Sequence, residues 1–264
     1  LRQLNREKND IQPMLDVRLF RNTVFTGAIT ANLISMTVDV GFIYFASQHL
    51  QLVSGLPPMY AGMLLIPGTL ATIIAGLVIA RVAVHFHPAQ VVSFGLALNA
   101  AAFAVLAFLG AHSDVVIILI FIVLGTGIGI AQTISNDLML SSVPPRKAGA
   151  ASAISETSYE TGAVLGTVII GGMLTAVYRA NVVVPSGLDE SLADHAHETL
   201  GGAVSVASHV GGEQANQLLS SAFAAFDSGV VLSSAFSAVL MGVMAVISYL
   251  MIRKAPREMK PAEH

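Results

Sequence analysis

Four carboxylates stand in stretches of sequence that otherwise carry almost no charge: Asp39, Asp137, Glu156 and Glu160. Each lies within or at the end of an apolar run long enough to cross a bilayer, and no Lys or Arg occupies the interior of any such run. An ionisable group at the bilayer centre costs roughly 2.5–3.5 kcal/mol on insertion scales, so it normally faces a cavity, a partner or a proton pathway. Three resolutions stay open: protonation, a cation supplied from outside these helices, or a cationic ligand. Glu156 and Glu160 are spaced i, i+4 and so share one helical face. Counted from Ala148 at about 1.5 Å per residue, they lie about 12 and 18 Å along their run, near its first third and its middle. Two carboxylates this close repel each other and favour holding a proton near neutral pH, the behaviour that proton coupling requires. The structural alternative is hydrogen-bonded packing to Tyr159, Ser155 or Thr157. Asp39, with Phe42, Tyr44 and Phe45 just beyond it, falls about 25 Å along its run from Asn22, toward the outer mouth, where coupling and packing roles both suit it. Asp137 sits far enough from Asp114 to reach the opposite interface, where solvation or a cap is its expected role.

Small residues occupy the positions where such runs would approach one another. Gly125 and Gly129 are GxxxG spaced, as are Gly162 and Gly166, and the spacing lets two helix backbones come close. The string Gly125-Thr126-Gly127-Ile128-Gly129 is not a nucleotide loop, because it lies in an apolar run with no strand before it. Pro67 removes one backbone hydrogen bond from its run and marks a flex point or a tolerated defect.

The elements that must position these groups are membrane helices. The chain has 264 residues, 54% hydrophobic and 11% charged, which leaves too little polar surface for a water-soluble globule of this size. Six runs meet the length of roughly 20 residues that a bilayer core demands: near 23 to 49, 58 to 81, 90 to 110, 114 to 141, 149 to 178 and 228 to 252. Each must be helical, since hydrocarbon offers no partner to the backbone N–H and C=O groups. Twelve of the 13 Lys and Arg residues fall on one side of this arrangement and only Arg179 on the other. The positive-inside rule then places both termini in the cytoplasm. Residues 1–22 read as a lead-in with an amphipathic segment, 23–178 as five spans, 179–227 as a long outer loop forming a partly helical cap, 228–252 as the sixth span and 253–264 as a cytoplasmic tail. The first residue is Leu and no signal-like apolar core follows the polar opening, the expected look of a chain that begins in mid-protein.

Several functions find no support. A net charge of −3 gives no field for nucleic acid. Zero Cys leaves no disulfide, thiolate or Cys-ligated metal. Asp194, His195, His197 and Glu198 lack a recognised ligand spacing, His85 and His87 suit an interfacial turn, and no HExxH or GxSxG occurs, so neither a metal site nor an enzyme is expected.

Three motifs carry a resemblance. PMLDVRLFRN, from Pro13 to Asn22, resembles the lead-in to the C-terminal bundle of the fourteen-helix drug:proton antiporters of the QacA/EmrB type, within the major facilitator superfamily. YAGMLLIPGTL, Tyr60 to Leu70, resembles the second helix of that bundle, and SSVPPRKAGAASAISETSYETGAVLGTVIIGG, Ser141 to Gly172, its cytoplasmic turn and penultimate helix. The resemblance implies an all-α integral membrane fold, a six-helix bundle that is the C-terminal half of a facilitator, whose two halves are parallel repeats. It also implies proton-coupled efflux of lipophilic cationic compounds across the plasma membrane, driven by the proton gradient with no cofactor. The expected partners are the bilayer, the N-terminal helices of the same transporter and lipophilic cationic small molecules. Glu156, Glu160 and Asp39 would serve coupling, and the glycine-rich penultimate helix would lie where the halves rock. The family's loop motif, Gly-x-x-x-Asp-Arg-x-Gly-Arg-Arg, survives only as Gly76, Ala80, Arg81 and Ala83, so Arg81 reads as a gating residue or as a topology-setting charge. Two other readings stay open: a non-transporting half-length membrane subunit or remnant, and an exporter of anionic or peptide cargo.

Overall fold

The computed structural model describes residues 17–111 and 113–253, and all regular structure among them is helical. Most of the lead-in and nearly all of the 253–264 tail therefore lie outside the described residues. A short 3-10 turn, Val17–Arg21, delivers the chain to α1, Thr23–Gln48. Asn22 caps α1 by accepting from Val24 N at 3.0 Å and Phe25 N at 3.4 Å, which satisfies amides that the helix leaves unpaired. α1 runs on through a π-helical turn, His49–Val53. Then come α2, Pro58–Val82, α3, Pro88–Leu109, and α4, Asp114–Ser141. Proline at the first position of α2 and of α3 has no amide to leave unpaired, and Gly110, at φ 67°, lets the chain leave α3.

The fifth span is composite: α5, Ala148–Leu165, a π-helical turn, Gly166–Gly171, and α6, Gly172–Asn181. Two short helices, α7, Glu190–Glu198, and α8, Leu200–Val210, precede α9, Gly212–Ile252. Six stretches are long and apolar enough to cross a membrane: Thr23–Val53, Pro58–His85, Pro88–Leu109, Asp114–Ser141, Pro145–Asn181 and Gly212–Ile252. One end of the bundle, the terminal end, holds the turns around 83–87 and 142–147 and both ends of the described chain. The distal end holds the turns around 54–57 and 110–113 and the 182–211 segment.

α1 sits at the centre, packed on α4, α5 and α9; α3 packs on α4 and α9, α2 on α4, and α6 on α9. The distal half of the core is aromatic, with Phe42 stacked on Phe121 at 5.1 Å and edge-on to Phe45 at 4.9 Å and Phe103 at 6.2 Å. α2 is the least enclosed helix: only Ala61 and Gly68 are buried on it. It continues unbroken through Pro67, and the nearby Thr69 and Thr72 hydroxyls bond the carbonyls of Leu65 and Gly68.

Both GxxxG pairs lie at close helix contacts. A methyl added to Gly125 would fall on the Gly68 carbonyl oxygen of α2, and one on Gly129 on that of Thr72. A methyl on Gly162 would stand 2.6 Å from the Leu33 carbonyl oxygen of α1, and one on Gly166 would fall on that of Thr37. Only hydrogen fits there, so backbone touches backbone.

The last helix differs most from the sequence expectation. It begins at Gly212, not near residue 228, and the segment expected as a 179–227 loop is α7, α8 and the first four turns of α9. Residues 212–227 are amphipathic rather than apolar throughout, with Ala215, Leu218, Ala222, Ala225 and Phe226 buried. A hydropathy window finds the membrane-embedded part of such a helix and misses the part that only turns one face inward.

Candidate functional site

α5 presents its two carboxylates on a face that nothing among the described residues covers. Ala151, Ile154, Ser155, Ser158 and Gly162 are buried against neighbouring helices, while Glu156, Thr157, Glu160, Thr161, Val164, Thr167 and Val168 are exposed. The reason lies in the sequence: the small residues recur on one side at helical spacing, and Gly162 and Gly166 fix that side against α1, so the carboxylate side must face away. Neither Glu156 nor Glu160 accepts a hydrogen bond or joins an ion pair among the described residues. Glu160 lies within about one turn of the midpoint of the Pro145–Asn181 span.

The bonded alternative for these acids does not form. Thr157 Oγ1 donates to the Ala153 carbonyl at 2.8 Å, and Ser155 and Tyr159 turn to Asn136 of α4. Asn136 is a hub: its Oδ1 accepts from Asn32 Nδ2 of α1 at 2.9 Å, Tyr159 Oη at 3.1 Å and Ser155 Oγ at 3.4 Å, and its Nδ2 donates to Tyr159 Oη at 2.8 Å. Three helices are thereby tied beside the acid pair. Tyr159 and Ser155, expected from the sequence as partners for the glutamates, bond Asn136 instead, and neither Asn32 nor Asn136 was among the expected site residues. Their signal was available, since an amide in a membrane span must find a partner.

Asp39 is half-buried on α1 with no hydrogen-bonding or charged partner among the described residues. The π-helical turn lengthens the first span to Val53, so Asp39 falls at the middle of the span and not near its outer mouth. The packing register, Gly162 on Leu33–Thr37 and Gly166 on Thr37–Gly41, puts Asp39 and Glu160 on parallel helices about 9 Å apart in axial rise. Asp137 is exposed one turn from the end of α4, at the terminal interface where the sequence put it.

Beyond Glu160 the uncovered stripe of the fifth span continues to a groove of about 510 Å³ lined by Tyr44, Thr167, Val168, Gly171, Thr175 and Arg179 among others. Arg179 closes its distal end, with Nε donating to the Glu198 carbonyl at 3.1 Å. Arg81, exposed in the last turn of α2, donates to its own helix at the Leu77 carbonyl, 3.2 Å away, a favourable place for a cation near a C-terminus. The acids and histidines of 194–198 fall on α7, and among the described residues no three His, Asp or Glu side chains converge to hold a metal.

Residues 3–167 match the Major Facilitator Superfamily. The chain belongs to that superfamily. It is a multi-pass membrane protein and a transporter-family chain, not an enzyme. It is 43% identical to the Multidrug efflux pump LfrA of Mycolicibacterium smegmatis, over 95% of this chain and 50% of that protein. It is 31% identical to the Methyl viologen resistance protein SmvA of Salmonella typhimurium, over 93% of this chain and 50% of the relative. The Tetracenomycin C resistance and export protein of Streptomyces glaucescens is 25% identical over 98% of this chain and 49% of its own length. The chain thus spans about half the length of the curated relatives it matches.

Proposed function

We propose that this facilitator chain is the C-terminal six-helix bundle of a fourteen-helix, proton-coupled drug exporter of the QacA/EmrB type, acting on lipophilic cations by alternating access. The observation that carries the reading is the pair of carboxylates, Glu156 and Glu160, that have no hydrogen-bond or ion-pair partner among the described residues, on the exposed face of α5, with Glu160 near mid-span. A carboxylate at membrane depth with no cation of its own binds either a proton or a cationic ligand, and exchange of the two couples opposite fluxes. The stripe from Glu156 to the groove at Thr175 supplies apolar and hydroxyl contacts for a lipophilic body beside that charge. The names of the relatives, a multidrug efflux pump and two resistance proteins, support export of toxic compounds. Under the positive-inside rule the terminal end faces the cytoplasm and the distal end the exterior of the plasma membrane. The N-terminal helices of the same transporter form the opposite wall, and the proton gradient is the energy source.

The test uses the full-length transporter in energised vesicles and a charge series of substrates that includes the dication methyl viologen. Glu160→Gln keeps size and hydrogen bonding but removes titration, so both cation efflux and drug-dependent proton release should fall to near background at normal expression. Glu156→Gln should weaken transport less, and Asp137→Asn least. Wild-type efflux and proton release from Glu160→Gln would show that the carboxylate is structural and that coupling resides elsewhere. Efflux of anions in preference to cations would overturn the substrate class.

A further inference from the structure

The distal end holds a second group of titratable side chains that the exchange at Glu160 leaves unused. A cavity of about 800 Å³ opens there between the end of α1, the turn joining α3 to α4, and α9, lined by His49, Ser54, Asp114, Phe223, Phe226 and Asp227 among others. His49 is only 4% exposed, and its Nε2 lies 3.3 Å from Asp114 Oδ1 at the first position of α4. The same oxygen accepts from Ser54 Oγ at 2.6 Å. On the facing wall, Asp227 Oδ1 accepts the Ala111 amide at 2.6 Å. His49 opens the π-helical turn of α1, a geometry that departs from the α-helical register and is frequent at functional sites. One to two turns deeper, the rings of Phe42, Phe45 and Phe121 separate this pocket from the level of Asp39.

An imidazole is the side chain whose ordinary titration falls between pH 5 and 8. We propose that this pocket is a proton-binding site in which protonation of His49 turns its contact with Asp114 into an ion pair and fastens the end of α1 to the start of α4. The proton comes from water in the open cavity, and no other covalent bond forms or breaks. Asp227 adds a second negative charge on the α9 wall of the same cavity. α3 has no titratable side chain. α2 carries Tyr60 and, at its far end, Arg81, and α8 carries His209, which is exposed and bonded to the Ser205 carbonyl at 2.8 Å. His112 of the α3–α4 turn lies outside the described residues. The consequence is a distal mouth that tightens in acid and loosens as pH rises. Nothing in this depends on Glu160 or on which side of the membrane the mouth faces.

The absence of Cys makes a single reporter thiol specific. Ala224, exposed and lining the pocket, is replaced by Cys, and Ser186, exposed on the segment after α6, serves as the control site. Each variant is expressed with the upstream helices, any Cys there replaced, reconstituted in nanodiscs and labelled with a maleimide from pH 5.5 to 8. The ratio of the two rates cancels the common rise in thiolate with pH. It should increase about fivefold across this range, and His49→Gln and Asp114→Asn should each flatten it. Asp114→Asn keeps an acceptor for Ser54 and decides the matter if the histidine variant does not fold. A flat ratio in the parent, or a pH dependence that survives in either folded variant, overturns the proposal, because a shift in the reporter thiol's own ionisation would survive them too.

Discussion

Replacing Asn136 by Ala should loosen α5 from α4 and α1 more than any other single polar truncation near the acid pair. Four hydrogen bonds converge on that amide, from or to Asn32, Ser155 and twice Tyr159. Side-chain hydrogen bonds within membrane proteins contribute about 0.6 kcal/mol each on average, so losing all four costs about 2.4 kcal/mol. Tyr159→Phe removes two of them, about 1.2 kcal/mol. Because both of those run to Asn136, the two substitutions should not add: the double variant should cost no more than Asn136→Ala alone, a coupling of about 1.2 kcal/mol. Ser155→Ala, at the longest distance of the set, should cost least. The assay is equilibrium unfolding of the full-length transporter in mixed micelles, read by helicity and repeated for each corner of the cycle. Additive effects, or a cost for Asn136→Ala below about 0.5 kcal/mol, would refute the hub, since the amide would then be replaceable by lipid, water or slack in the helices.

Gly166→Val would drive a side chain into the Thr37 carbonyl of α1 and should cost about 1–3 kcal/mol by overpacking, whereas Gly149→Ala, with nothing within 4 Å of the added methyl, should be neutral; the same unfolding assay separates them. A tag after His264 should be inaccessible in intact cells and one inserted near Gly201 labelled; surface labelling of the C-terminus would invert the topology. The chain expressed alone, with Glu156 and Glu160 uncovered, should neither transport nor stay monodisperse in mild detergent, and efflux from vesicles holding it alone would contradict the need for an opposing half.

The six spans were legible in the sequence because an apolar run of about 20 residues satisfies its backbone in lipid as a helix, and hydropathy reports such runs directly. The two GxxxG pairs were legible for a related reason: Gly at i and i+4 says that something approaches closely, though not that Leu33, Thr37, Gly68 and Thr72 would be the atoms met. What the sequence concealed is local geometry and pairing. Nothing in His49–Val53 or Gly166–Gly171 announces a π-helical turn, and the first of these shifts Asp39 to the middle of its span. The start of α9 was hidden because Gly212 to Asp227 mixes polar residues with apolar ones and buries only one side. Asn32 and Asn136 lie 104 positions apart and look unremarkable singly; only packing reveals that the Nδ2 of the first donates to the Oδ1 of the second.

The 41-residue length of α9 has a mechanical meaning. At about 1.5 Å per residue it is a rod of roughly 60 Å, twice the hydrocarbon thickness, and Gly212 to Asp227 make up about 24 Å of it beyond the apolar stretch. α8 leans on this mast and α7 on α8, so the cap is bolted to a stiff member and does not hang from a tether. A tilt of α9 by about 10° would sweep its tip sideways by about 4 Å, carrying the cap with it. The cap is thus a pointer that magnifies the attitude of the bundle, and its position reports which way the bundle leans.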